Sequence, residues 1–290
     1  MPKKMVTKRR QAWGQQQKAT EFKGSALAYP VAVEGRYRAS MESLIDGMLA
    51  EYDAALRRLY RGNPEITQDE SVTTQARRIL AELGRKWSKA FAEKAGPLAN
   101  RTIGQMDRFS KQNLGASLRD MSGGLTIKTF QMPAGLYDKV LASTAENAGL
   151  IKSIPAQFQE RIQGIVMRSI QSGGQGSGQI FEEIKNLNRV TRNRAKLIAV
   201  DQTRKITTAM NEERMKAAGV KQFEWIHSGG GAEPRSLHVQ YDGQTFSMDN
   251  PPIIDKRTGQ RGFPGELINC RCRMRPVIDF TEYLDEQATN

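Results

Sequence analysis

Both cysteines and both histidines of this chain fall in its last third: His227, His238, Cys270 and Cys272. Thiols and imidazoles are the ligands that zinc takes, four at a time and commonly in closely spaced pairs. Cys270, Cys272 and His238 are the candidates here, with His227 or Asp242 as a fourth ligand. The competing reading buries both thiols as small core residues, since free cysteine is among the most buried residue types. A disulfide between them would strain a loop of a single intervening residue. The residues alone therefore commit to no metal and no cofactor. His238, Glu233, Asp242 and Glu266 are the side-chain types of an acid/base set. They sit at turns rich in Gly and Pro, where they serve better as partners of backbone donors or of Arg235 and Arg271. The chain carries no phosphate-binding loop, dinucleotide fingerprint, nucleophile elbow or His-Glu-x-x-His motif. Gly173-Gly174-Gln175-Gly176 lacks the Lys-Ser/Thr that would follow in a phosphate loop. No catalytic residue is assigned, and the chain reads as a non-enzyme.

The elements that position these residues follow from hydrophobic spacing. Tyr37, Met41, Leu44, Ile45, Met48, Leu49, Tyr52, Leu56 and Leu59 recur at steps of three and four and predict a helix over 34–60, between Pro30 and Gly62. A second helix is expected over 72–94, closed by Gly96-Pro97, with further helix over 99–121. Residues 122–135 read as a linker. Helices are then expected over 136–149, 155–171, 180–187 and 192–218, with Thr191 as an N-cap and Gly219 as the residue after the last helix. Beyond Gly219 the pattern turns to short strands: Phe223 to Ile226, then Gln244 to Phe246 after the Asp242-Gly243 turn, with a short helix or turn over 235–240. In a final strand over 268–277, Cys270, Cys272 and Met274 alternate with Arg271, Arg273 and Arg275, which puts the sulfurs on one face and the guanidiniums on the other. The fold class is mainly α, with a small C-terminal α+β module of short antiparallel strands.

Charge and composition narrow the partners. The chain has 290 residues and a formal net charge of +13. Residues 1–23 hold seven Lys or Arg against Glu21, a local charge of +6. Such an arm suits a phosphate backbone or an acidic partner, and Lys3, Lys4, Lys8, Arg9, Arg10 and Lys18 are its contact candidates. Removing residues 1–23 is expected to leave folding intact and weaken that association. No apolar run reaches the length of a membrane span. The opening MPKKMVTKRRQ lacks a secretory apolar stretch, so synthesis in a reducing cytosol is expected.

One ordered set of motifs remains. Asn147-Ala-Gly-Leu-Ile-Lys-Ser-Ile-Pro155, Ala199-Val-Asp201-Gln-Thr203 and Asn211-Glu-Glu-Arg214 come first. Trp225, Arg235-Ser-Leu-His238, Asp242-Gly243, Pro251-Pro252, Pro264-Gly265-Glu266 and Asn269-Cys-Arg-Cys272 follow. Together they resemble the Mu F-like minor head proteins of tailed phages, also called phage head morphogenesis proteins. The resemblance is strongest over about 136–279 and weaker in the upstream helices. With the charge and helix pattern, the chain divides into a basic arm over 1–33, a helical N-terminal domain over 34–121 and a linker over 122–135. A head-morphogenesis domain would then span 136–290, with helices over 136–219 and an α+β end over 220–280. The resemblance also implies a structural motif carried by Trp225, Arg235, His238, Asp242, Gly243, Pro252, Gly265, Asn269, Cys270 and Cys272.

The implied role is a minor virion protein, made in the host cytoplasm and present in few copies in the phage head. It would associate with the portal and major capsid proteins and support assembly, DNA packaging or delivery, meeting packaged DNA through its arm and no membrane while in the head. The alternatives are a DNA-binding internal protein that is ejected, and a toxin-like enzyme that transfers ADP-ribose. The chain departs from the family pattern at several points. Many relatives have Cys-x-x-Cys where Arg235-Ser-Leu-His238 stands here, and a histidine where Leu267-Ile268 stands. An acidic residue usual after the tryptophan strand is replaced by Gly229-Gly230-Gly231, with Glu233 a short shift away.

Overall fold

The computed structural model describes residues 21–60, 71–121, 134–171, 177–230 and 233–279. The arm residues Lys3, Lys4, Lys8, Arg9, Arg10 and Lys18, residues 122–133 of the expected linker and residues 172–176 of the glycine tract lie outside them. Four long helices make the bulk of the chain: α1 (Val31–Tyr60), α2 (Val72–Met121), α3 (Ala134–Gln171) and α4 (Ser177–Ala217). The first begins three residues before the predicted start, directly after Pro30, whose carbonyl accepts from the Val33 and Glu34 N–H groups. Its buried stripe is Val33, Tyr37, Met41, Ile45, Met48, Leu49, Tyr52, Leu56 and Leu59, which leaves Leu44 at the edge of the predicted face.

The other three helices correct the sequence reading, because each runs through a predicted break. Pro97 lies inside α2 and Pro155 inside α3. A proline costs one backbone hydrogen bond and crowds the preceding turn. Here the apolar stripe is buried on both sides of each one: Phe91, Ala95, Leu98 and Ala99 around Pro97, and Ile151, Ile154, Phe158 and Ile162 around Pro155. Burial of a continuous face outweighs the local penalty. Thr191 is likewise interior to α4 and caps nothing; its hydroxyl donates back to the Leu187 carbonyl at 2.8 Å. Gly219 does end α4. With φ at 77°, it brings its own N–H to Lys216 O and the Val220 N–H to Met215 O, a paired closure of the last turn.

Side chains from all four helices share one core, in which Tyr52 meets Phe158 edge to face. Among the described residues no helix is long and apolar enough to cross a membrane. The remaining elements form the C-terminal module: β2 (Gln222–Ile226), α5 (Ser236–Gln240), β3 (Thr245–Ser247), β4 (Ile253–Asp255), β5 (Gln260–Arg261) and β6 (Arg273–Asp279). The β4–β5 hairpin stands in a stretch, between Phe246 and residue 268, for which hydrophobic spacing predicts no element.

An N-terminal strand, β1 (Glu21–Lys23), completes an antiparallel sheet in the order β1-β6-β2-β3. Phe22 sits opposite Ile278, and Trp225 opposite Met274. Residues 21–23, expected to belong to a dispensable arm, are therefore a strand of the folded module. The module core gathers Phe223, Trp225, Met248, Phe263 and Met274, and is closed by Leu114 and Leu118 of α2, Met215 of α4 and Leu27. The sheet end is thus seated on the ends of two bundle helices.

Candidate functional site

The two thiols precede the last strand. Asn269 has φ of 60°, and the Cys270 N–H turns back to the Leu267 carbonyl at 2.9 Å, so β6 starts at Arg273 and the predicted strand over 268–277 is shortened at its front. The predicted alternation survives this correction. Cys270, Cys272 and Met274 are buried, Arg271 is exposed, and Arg273 and Arg275 are half-buried. Arg275 pairs in register with Glu224 of β2 at 2.9 Å, and Lys23 of β1 reaches the same carboxylate at 2.8 Å. One buried carboxylate thus ties three strands together.

Three carbonyls around the Cys-Arg-Cys turn are held from different parts of the chain. Arg235 donates to Ile268 O at 3.0 Å, Arg204 of α4 to Cys270 O at 3.5 Å, and Tyr29 to Cys272 O at 2.6 Å. Thr208 of α4 fixes the Pro264 carbonyl at 2.8 Å. Gly265 has φ of 97° and lies against the Tyr29 and Thr208 hydroxyls, where a Cβ would collide with both. Only glycine meets both demands.

On α5, His238 stands edge-on to Trp225, with ring centroids 4.9 Å apart. Its Nε2 is 3.1 Å from the Ile254 carbonyl of β4. Its Nδ1 faces the sulfurs, 3.5 Å from Cys270 Sγ and 3.8 Å from Cys272 Sγ. The Gly265 N–H also points at Cys270 Sγ, at 3.4 Å. His238, Cys270 and Cys272 are each 3% exposed. A hydrogen bond from Cys272 holds the Cys270 thiol below its ordinary pKa, whereas that bond and burial push the Cys272 thiol up.

These three side chains form the floor of a cleft of about 440 Å³ whose rim includes His227, Glu233, Arg235 and Arg271. The other expected participants stand apart from the sulfurs. Asp242 accepts the backbone N–H of His227 at 2.8 Å, and His227 Nδ1 accepts from Gly229 N at 3.2 Å. Glu266 is half-buried, and desolvation raises its pKa. His238 and Asp242 of the acid/base set thus have separate partners. Arg235, expected to pair with a carboxylate, bonds a carbonyl instead. Gly243, at φ of 75°, makes the turn before β3, and the Pro252 carbonyl receives the Gly262 N–H across the β4–β5 hairpin.

Sequence reasoning missed Tyr29, Arg204, Thr208 and Glu224, whose partners are remote in the chain. It also missed the function of Arg214, which is 5% exposed and bridges α4 to Asp107 at 2.6 Å and Ser110 at 3.0 Å on α2.

Residues 160–275 match the family described as phage Mu protein F like protein. The matched stretch runs from the second half of α3 through α4 and the module into β6. An uncharacterized protein of Haemophilus influenzae is 27% identical over 269 residues, which cover 92% of this chain and 58% of that relative. The chain thus spans somewhat more than half the length of the curated relative it matches. No solved structure matches the chain.

Proposed function

We propose that this chain, whose residues 160–275 are a phage Mu protein F-like domain, is a minor structural protein of a tailed-phage head. It associates with the portal and inner capsid in few copies and supports head assembly, DNA packaging or DNA delivery. The observation that carries the reading is the extent of the match. It includes the Trp225, His238, Asp242-Gly243, Gly265 and Cys-Arg-Cys positions, and these are the residues that build the module core and its turns.

The physical form suits an assembly part. A four-helix body about 50 residues long in its longest helix presents long polar faces, and the module is locked onto it by side-chain bonds from α4 and the 24–30 segment. In the acid/base set, His238 bonds the Ile254 carbonyl and Asp242 the His227 N–H, partners that belong to the fold. A second reading, a DNA-binding internal protein that leaves with the genome, draws on the +6 charge of residues 1–23. Tagged full-length chain, co-expressed with the portal protein of its own phage, is expected to retain the portal through washing. If the major capsid protein is retained and the portal is not, the portal association is wrong.

A further inference from the structure

We propose that His238, Cys270 and Cys272 are the protein ligands of a zinc ion that fastens the C-terminal module. Zinc bonds of about 2.3 Å to sulfur and about 2.0 Å to nitrogen, set at tetrahedral angles, place S and N about 3.5 Å apart. The two S···Nδ1 separations are 3.5 and 3.8 Å, and all three ligand atoms lie within 4.8 Å of one another. The two sulfur-to-nitrogen edges already have the lengths of a coordination tetrahedron.

Hydrogen bonding alone accounts poorly for this convergence. A carbonyl oxygen only accepts, so His238 Nε2 carries the proton that meets Ile254 O. In the neutral ring Nδ1 then has one lone pair, and two sulfurs face it. With one thiol donating to the other, hydrogen bonding puts only one sulfur on Nδ1 although both lie within 3.8 Å of it; a metal bonds both sulfurs and the nitrogen directly. The Nε2–H to carbonyl contact is also the outer-shell bond that fixes the tautomer and orientation of ligating histidines. The Gly265 N–H to Cys270 Sγ contact supplies the donor that a coordinated thiolate favours.

Two thiolates and an imidazole are a soft, tetrahedral donor set that suits zinc over oxygen-seeking cations. The fourth position would be completed from the cleft that the three side chains line. Neither Asp242 nor His227 fills it, because the group of converging ligand atoms among the described residues contains neither. The ion would join three elements that the backbone leaves separate: α5, the β4 carbonyl behind the histidine, and the turn into β6.

Full-length protein, prepared from zinc-supplemented cells without chelator, is expected to carry one zinc per chain by elemental analysis. After chelation, added Co2+ should give thiolate-to-metal charge transfer and the intense d–d bands of a tetrahedral site. The melting temperature should fall on chelation and return with zinc. Cys270→Ser/Cys272→Ser should lose the metal and the chelator response together. Absence of both zinc and any cobalt spectrum in folded wild-type protein would overturn the proposal, and this reading does not depend on how the variant folds. A cobalt spectrum that persists in a folded double variant would also refute it, since the ion would then sit elsewhere.

Discussion

The hydroxyl of Tyr29 donates to the carbonyl oxygen of Cys272 at 2.6 Å, joining residues 243 positions apart in the chain. Burial raises the pKa of that hydroxyl, so it remains a donor throughout the working pH range. The bond makes the segment before α1 a strap across the C-terminal turn, continuous with the β1–β6 pairing and with the Leu27 N–H to Met274 O bond at 2.7 Å. Tyr29→Phe keeps the ring and strands the carbonyl. A loss of about 1–2 kcal/mol is expected in denaturant unfolding, and an unchanged midpoint would show that the strap is incidental.

Gly265 is the point where the strap, α4 and the cysteine turn meet. A methyl group there collides with Tyr29 and Thr208 and must also adopt φ of 97°. Gly265→Ala is expected to cost about 3 kcal/mol, combining backbone strain and overpacking. Far-UV circular dichroism should still show the helices, since the bundle core is elsewhere, while the thermal transition moves down.

Arg214 is the buried end of an ion pair with Asp107, and Ser110 passes the contact to Asn211 at 2.7 Å. Arg214→Met leaves Asp107 without its partner and should destabilise by about 3 kcal/mol. Adding Asp107→Leu should recover part of that loss, because the uncompensated carboxylate is then gone. A double variant as unstable as the sum of both single variants would contradict this account.

Glu266 gives a pH signature. Desolvation, reinforced by Glu212, raises its pKa above the ordinary 4.5, against the lowering effect of the Phe263 N–H. A raised carboxyl pKa means that the fold favours the protonated form. The stability it contributes is complete below the unfolded-state pKa and is lost as pH rises through the folded-state value. Glu266→Gln should therefore be more stable than wild type at neutral pH, and the difference should shrink as the buffer is taken below pH 4.5.

The strap also sets where the N-terminal arm can be cut. Removal of residues 1–20 keeps β1, and should leave melting unchanged while weakening binding to duplex DNA. If Lys3, Lys4, Lys8, Arg9, Arg10 and Lys18 all meet phosphate, the intact chain loses affinity with salt at a log–log slope of about −5. Removal of residues 1–29 takes away β1 and Tyr29 as well, and should lower the melting temperature. Salt-independent binding by the intact chain would rule out phosphate contacts.

Much of this architecture was legible in the sequence. Steps of three and four located the helical stretches, and the period of two around Cys270 put both sulfurs inward. Gly219 announced the end of α4 because a left-handed residue there is a local demand. The helix joins at Gly96-Pro97, Gly149–Pro155 and Thr191 were misread, since local propensity says nothing about the long-range burial that carries a helix through a proline. Glu224, Tyr29 and Thr208 were invisible for the same reason: their partners are fixed by the fold, not by neighbours in the chain. The meeting of His238 with the cysteines needed α5 and the β6 turn to be brought together, which spacing alone did not dictate.

The proposal that this chain is a minor head protein is tested most directly by its copy number in purified phage particles, measured by quantitative mass spectrometry against the portal and major capsid proteins. The account predicts a few copies in each DNA-filled head, far below the major capsid protein. Copies approaching those of the capsid protein would make it a decoration or scaffold component, and absence from the head would contradict the assignment altogether.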